Sequence, residues 1–262
     1  MQPGRIRLSA NLGFLWAELP LLSRIEHAAA NGFEAIELHW PYDTDPTAVG
    51  SAVKDLGLVL LSINTPQGDV AAGDAGLAAQ VDRVSEFKDT FLASLEWACA
   101  SGAGLIHVLP GMADLHRLER SREVFIENLR WAADQARDRN ITLLLEALNP
   151  RDKPGYFYHT QAQADSIREA TGKDNVKLMF DVYHVGVAEG DILMKLQRYL
   201  PAIGHIQIAA VPTRAEPDEG EVSYQAVFDR MKSLGYRGWV GCEYKPRANL
   251  EQGLAWRQTF SL

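Results

Sequence analysis

The sequence is poor in cysteine, and its two cysteines lie far apart. Cys99 and Cys242 have neither the spacing of a metal site nor that of a redox motif. This favours two reduced thiols in a cytoplasmic protein over a disulfide framework. The sequence also has no run of about 18 apolar residues and no apolar segment near its N-terminus, so we expect neither a membrane span nor a signal peptide.

An excess of basic residues is also absent, because the formal net charge is −8. Proteins that bind nucleic acid normally present a basic surface to the phosphates, so the acidic balance argues against such a partner. With 47% apolar and 23% charged residues, the composition is that of an ordinary globular protein. The length suits one α/β barrel, and no shift in composition marks a boundary, so we expect residues 1–262 to form a single domain.

Eight short aliphatic or β-branched segments alternate with helical patterns. Several are nearly continuous apolar runs, as expected of strands that are buried on both faces. Eight such strands predict a (β/α)8 barrel. A doubly wound open sheet is the alternative, although Asn11-Leu12-Gly13 after the first strand is not a dinucleotide-binding fingerprint. The predicted strands are Ile6–Ala10, Ala35–His39, Val59–Asn64, Leu105–Leu109, Thr142–Ala147, Val176–Val182, Ile203–Ala209 and Trp239–Tyr244.

The helical segments carry recognisable end signals. Thr160 and Gln163 predict a capping box, and Gly172 predicts the end of the same helix. A long helix is expected from about Val81 to Ala100. Two loops, 65–79 and 210–222, follow the third and seventh strands on the side where barrel active sites are built, so we expect a lid or a substrate-binding segment there.

Four of the later strands end in side chains that can bind a metal: Glu146, Asp181, Gln207 and Glu243. Any one of them alone is more commonly a helix cap or a loop salt bridge. In a barrel, however, all four project into one mouth at similar depth. Oxygen ligands of this kind favour Mg²⁺ or Mn²⁺ over Zn²⁺. Glu146 and Glu243 then become candidates for a proton-transfer pair acting on an α-hydroxy carbonyl compound.

Other polar residues near the strand ends are more ambiguous. His184 is expected to orient substrate or to cap a helix. Arg214 is expected to anchor a substrate carboxylate, or else to be a solvated loop charge. Glu37, His39 and His107 fit interior polar groups as well as they fit ligands.

Several segments resemble the hydroxypyruvate isomerase family of xylose isomerase-like barrels, namely GFEAIELHWPYD, NTPQGDVAAGD, LLLEALN, FDVYHVGVAEGD, GHIQIA and GYRGWVGCEYKP. The resemblance implies that Glu146 and Glu243 are catalytic and that Asp181 and Gln207 complete a divalent-metal site with them. It implies that His184 and Arg214 contact substrate. Related sugar epimerases have histidine in place of Gln207, which favours the isomerase branch. The resemblance also suggests a homo-oligomer, with a dimer as one option.

The predicted activity is therefore the interconversion of hydroxypyruvate and tartronate semialdehyde through an enediolate. The predicted ligand is thus a small 2-oxo or hydroxy acid. The alternatives of the same class are a 2-oxotetronate isomerase and a ketose 3-epimerase. A metal-dependent phosphodiesterase acting on damaged DNA would need several histidines around two or three metal ions, and the seven histidines lie mostly away from the strand ends. A barrel that only binds a sugar acid is the remaining alternative.

Overall fold

A computed structural model describes residues 5–260 and 262. All strands of this described part belong to one parallel sheet, in the order β3-β2-β1-β9-β8-β7-β6-β5-β4. The strands are β1 Arg7–Asn11, β2 Ala35–Glu37, β3 Val59–Leu60, β4 Ser62–Asn64, β5 Leu105–His107, β6 Thr142–Glu146, β7 Val176–Asp181, β8 Ile203–Ile208 and β9 Trp239–Cys242.

The two end strands of that order, β3 and β4, are halves of the single predicted strand Val59–Asn64. Leu61, between them, donates its N–H to the carbonyl of Ile36 at 2.9 Å and accepts from the N–H of Leu105 at 2.9 Å. The sheet is therefore bonded on both sides at this point and closes into a barrel with eight strand positions. This confirms the predicted (β/α)8 barrel, since a doubly wound sheet would leave two open edges.

Helices alternate with the strands and cover the outside of the barrel. The capping box predicted at Thr160 and Gln163 is present, and Gly172 ends that helix with a φ of 65°. The long third helix begins at Val84, after a 3-10 turn over Val81–Arg83. The helices are α1 Leu21–Ala30, α2 Pro46–Asp55, α3 Val84–Ser101, α4 Leu118–Arg137, α5 Gln161–Thr171, α6 Val182–Ala188, α7 Ile192–Tyr199, α8 Tyr224–Ser233 and α9 Leu250–Gly253. No helix of the described residues is both long and apolar enough to cross a membrane.

The register of the strands sets the height of the site residues. Glu146 pairs with Met179, two residues before Asp181, and Asp181 pairs directly with Gln207. Gln207 pairs with Gly241, two residues before Glu243. A barrel of eight strands with a shear of about 8 advances about one residue per strand. This stagger therefore brings the four side chains to similar height at the C-terminal mouth.

Candidate active site

A cavity of about 290 Å³ opens at the C-terminal mouth of the barrel. Its wall combines aromatic rings with groups that can ionise, as is usual where a small polar ligand binds. The size suits a molecule of a few carbon atoms. The lining includes Phe14, His39, Trp40, His107, Glu146, Asp152, Lys153, Tyr156, His184, Arg214 and Glu243.

Four buried side chains meet at the base of this cavity. One ligand atom each from Glu146, Asp181, His184 and Glu243 lies within 4.8 Å of all the others, as in a site that can hold a metal ion. The structure therefore brings together three of the four residues predicted to bind a metal, and it adds His184, predicted to bind substrate.

Gln207, the fourth predicted ligand, is buried beside this cluster. Its amide nitrogen donates to Glu37 Oε2 at 2.8 Å. Because a carboxylate only accepts hydrogen bonds, this bond fixes the orientation of the amide, and Gln207 Oε1 lies on the side of the amide away from Glu37. Within the described chain, that oxygen, Glu146 Oε1 and Asp181 Oδ2 are buried and accept no hydrogen bond. Buried oxygens of this kind are costly, and a divalent cation such as Mg²⁺ or Mn²⁺ would satisfy them.

His184 faces the cluster as a hydrogen-bond donor. Its Nδ1 accepts from the backbone N–H of Asn149 at 3.0 Å, which places the proton of the neutral ring on Nε2. That Nε2 lies 3.6 Å from Asp181 Oδ2. Burial, reinforced by the charge of Arg214, lowers the pKa of His184 to about 3, so the ring is neutral near pH 7. This tautomer suits donation to a substrate oxygen better than it suits metal ligation.

Glu243 is held as a carboxylate by three donors. Arg214 Nη2 donates to its Oε2 at 2.8 Å, while His39 Nε2 and Asn11 Nδ2 donate to its Oε1 at 3.0 and 3.1 Å. Burial favours a higher pKa for Glu243, but the hydrogen bond from His39 and the charge of Arg214 outweigh it and hold the pKa below its ordinary value. The Glu243 carboxylate is thus ionised and fixed in direction.

Glu146 has the opposite environment. Burial first, and then the charges of Glu243 and Asp181, raise its pKa well above the ordinary value. Burial and the charge of Glu243 also raise the pKa of Asp181 to about 7. Three carboxylates this close repel one another unless they are protonated or share a cation. The charge pattern therefore fits a divalent ion, as the unsatisfied oxygens do.

Arg214 occupies the predicted loop after β8 and is held rigidly. Its guanidinium lies between the rings of Phe14 and Tyr183, at 4.8 and 4.9 Å from their centroids. Its Nη1 is 3.6 Å from Asp152 Oδ2. Arg214 thus lines the cavity and also holds the Glu243 carboxylate in position through its hydrogen bond.

Three residues of the site were missed by the sequence reasoning: Asn11, Asp152 and Lys153. Asn11 ends β1 just as the predicted residues end their strands, so the same signal was available for it. His39 was noted only as an ambiguous polar group, and its contact with Glu243 spans 204 residues of sequence. Asp152 and Lys153 lie in a loop without any pattern that marks them.

Glu37 forms a second polar layer beneath the cluster. Its side chain accepts from Ser9 Oγ at 2.5 Å and lies 3.0 Å from His205 Nε2, besides its bond from Gln207. Gly241 leaves the room for it, since a Cβ at position 241 would lie 2.2 Å from Glu37 Oε1. The absence of a side chain at Gly241 thus gives the Glu37 carboxylate the space in which it binds and orients the Gln207 amide.

Gly241→Ala is expected to displace Glu37 and, with it, the amide of Gln207. We expect the free energy of unfolding to fall by about 1–3 kcal/mol, as in other overpacked cores. We also expect Mn²⁺ affinity, measured by electron paramagnetic resonance, to fall by about tenfold or more, as for other residues that orient ligands. Gly104→Ala is the matched control, because its Cβ would meet nothing within 4 Å. Equal behaviour of the two variants would contradict the role given to Gly241.

Comparisons with known proteins agree with this architecture. The profile of the xylose isomerase-like TIM barrel family matches residues 25–260. A "2-oxo-tetronate isomerase" of Cupriavidus necator is 43% identical over 256 residues, covering 97% of this chain and 98% of that protein. The "hydroxypyruvate isomerase" of Escherichia coli is 36% identical over 256 residues, covering 97% and 99%.

Solved structures show the same fold. A Brucella melitensis protein described as "AP endonuclease, family 2" superimposes with a TM-score of 0.94 at 40% identity, covering 97% of this chain and 99% of that one. The 3-keto-D-glucoside 4-epimerase of Escherichia coli, at 20% identity and a TM-score of 0.83, shares the fold. With full-length relatives at this identity, the chain belongs to the xylose isomerase-like TIM barrel family, in the group that contains the hydroxypyruvate and 2-oxo-tetronate isomerases.

Proposed function

We propose that the protein interconverts hydroxypyruvate and tartronate semialdehyde, as an isomerase of the aldose–ketose type. The observation that carries the proposal is the convergence of Glu146, Asp181 and Glu243, beside the unsatisfied oxygen of Gln207. The names of the full-length relatives support the same class of reaction.

The chemistry requires a proton to leave the hydroxymethyl carbon and a proton to reach the neighbouring carbonyl carbon, while the hydroxyl proton moves to the former carbonyl oxygen. Glu243, ionised and directed by Asn11, His39 and Arg214, is ready to accept the first proton. Glu146, whose pKa is raised by burial and by Glu243, returns a proton to the neighbouring carbon. His184 Nε2–H donates to an oxygen of the substrate. Glu146, Asp181, Gln207 and Glu243 would hold Mg²⁺ or Mn²⁺, whose positive charge would stabilise a developing enediolate.

Proton exchange in D₂O tests this proposal directly. The protein is first treated with a chelator and then incubated with hydroxypyruvate, with and without Mg²⁺ or Mn²⁺, while NMR follows both carbons. We expect deuterium at the hydroxymethyl carbon, appearance of the aldehyde, and a rate that increases on adding the metal. Absence of both exchange and aldehyde under every condition would exclude hydroxypyruvate as the substrate.

The length of the substrate is the nearest alternative within this proposal. The relative from Cupriavidus necator carries the name of an isomerase for a four-carbon acid. Comparison of kcat/KM for hydroxypyruvate and 2-oxotetronate decides between them. A ketose 3-epimerase is distinguished by its product, because epimerisation leaves the carbonyl group on the same carbon.

A nuclease function is suggested by the description of the Brucella melitensis structure. The cluster among the described residues contains one histidine and three carboxylates, whereas the multi-metal chemistry of that reaction calls for more histidine ligands. Incubation of a duplex that contains an abasic site with the protein and Mn²⁺ tests it, and we expect no cleavage. A homo-oligomeric state and a cytoplasmic location stay predictions from the sequence.

A further inference from the structure

Two basic side chains line the cavity, and they differ in their partners. Arg214 is committed to Glu243 at 2.8 Å and also lies near Asp152 and Asp181. Lys153 lines the same cavity, and its ammonium group makes no hydrogen bond or ion pair with any of the described residues. Its partially buried side chain thus brings an unpaired positive charge to the wall of the cavity.

The turn that carries Lys153 is fixed at both ends. The N–H of Lys153 donates to the carbonyl of Asn149 at 3.1 Å, and its carbonyl accepts from the N–H of Tyr156 at 3.2 Å. Tyr156 in turn forms a β-bridge with Met112 in the loop after β5. Asn149 is the residue that sets the tautomer of His184. Lys153 is therefore presented by the same rigid turn that orients a group of the site.

The carboxylate of the neighbouring Asp152 is hydrogen-bonded to other groups and does not pair with the Lys153 ammonium. Asp152 Oδ2 accepts from Tyr183 at 2.6 Å and from Asn149 at 3.3 Å. An anionic ligand must enter a cavity whose base contains Glu146, Asp181 and Glu243, so it needs a compensating positive charge that is not already paired. Among the described lining residues, Lys153 meets that condition.

From this geometry we propose that Lys153 binds the carboxylate of the substrate and makes the site selective for 2-oxo acids over uncharged ketoses. The inference rests on the proposed isomerase function for its substrate class. Because the carboxylate is unchanged in the reaction, Lys153 contributes equally to binding of the substrate and of the transition state. Its loss should therefore appear in KM rather than in kcat.

The test compares Lys153→Gln with Lys153→Arg and with Lys54→Gln. Lys54 is exposed on α2, so Lys54→Gln changes the net charge identically without touching the cavity. We expect Lys153→Gln to raise KM for hydroxypyruvate about 10- to 100-fold at nearly unchanged kcat, the loss typical of a hydrogen bond between charged groups. Lys153→Arg should reverse most of this rise in KM, and Lys54→Gln should have the KM of the wild type. A disturbed turn would instead lower kcat, through His184, and the arginine variant would not recover it; that result overturns the proposal.

A binding measurement keeps the inference separate from the proposed activity. Trp40 lines the cavity, so its fluorescence reports ligands without turnover. We expect Lys153→Gln to weaken binding of D-glycerate by at least about tenfold and to leave binding of the uncharged glyceramide unchanged. This result would support the anion site even if hydroxypyruvate were not isomerised. Equal weakening of both ligands, unchanged glycerate binding, or no glycerate binding by the wild type would overturn the proposal.

Discussion

Glu243→Gln is expected to reduce kcat for hydroxypyruvate by at least about 10³-fold while the barrel stays folded. The amide keeps the shape of the side chain but cannot accept the proton, and a positioned acid–base group contributes about 10²–10⁴-fold. Arg214 keeps Asp152 and Asp181 within 4.0 Å, so its charge is not left alone. Steady-state kinetics gives kcat, and circular dichroism reports the fold.

The control for this change is Glu96→Gln. Glu96 is exposed on the outer face of α3, so the same substitution there alters neither the cavity nor the core. Its kcat should equal that of the wild type. If Glu243→Gln instead turned over at a near-normal rate, Glu243 would not be the proton acceptor, and the assignment of the glutamate pair would have to be abandoned.

Arg247→Ala is expected to reduce both the stability of the fold and the activity. Arg247 stabilises the loop after β8, because its guanidinium forms ion pairs with Glu216, Asp218 and Glu219 at 2.7–2.9 Å. Glu216 is only 1% exposed, so removing the guanidinium leaves a buried carboxylate that keeps only the hydrogen bonds from the backbone N–H of residue 247, at 3.1 and 3.3 Å. Since Arg247 itself is partly solvated, we expect a loss of about 1–3 kcal/mol and a fall in Tm of about 2–12 °C.

The same variant should impair catalysis, since that loop carries Arg214. The carbonyl of Arg214 accepts from the N–H of Lys245 at 2.7 Å, two residues before Arg247. Loosening this contact frees Arg214 from Glu243, and we expect kcat/KM to fall by about tenfold, as for other residues that orient catalytic groups.

Arg117→Ala is the matched control for Arg247→Ala. Arg117 also binds two carboxylates at 2.7 Å, those of Asp82 and Asp114, but all three side chains are substantially exposed. Exposed pairs of this kind contribute less than about 1 kcal/mol, so Tm should move by less than about 4 °C. A similar loss in both variants would show that burial of Glu216 does not govern the stability of the loop.

The elements were predictable because their signals are local. Apolar runs located all eight strand positions, and the capping box at Thr160 with Gly172 marked both ends of α5. The third strand shows the limit of this reasoning, since its interruption at Leu61 depends on hydrogen bonds to β2 and β5. Such bonds come from neighbours distant in sequence, and no local pattern contains them.

The sequence by itself determined the barrel and the row of side chains at its strand ends, because alternation along a strand and the order of parallel strands decide which residues reach the mouth. Only the tertiary structure decided their partners. In the structure, His39 and Asn11 donate hydrogen bonds to Glu243, and Glu37 fixes the orientation of the Gln207 amide. The Lys153 ammonium has no partner among the described residues. These outcomes depend on shear, burial and contacts across up to 232 residues of chain, which set the charge and direction of each group.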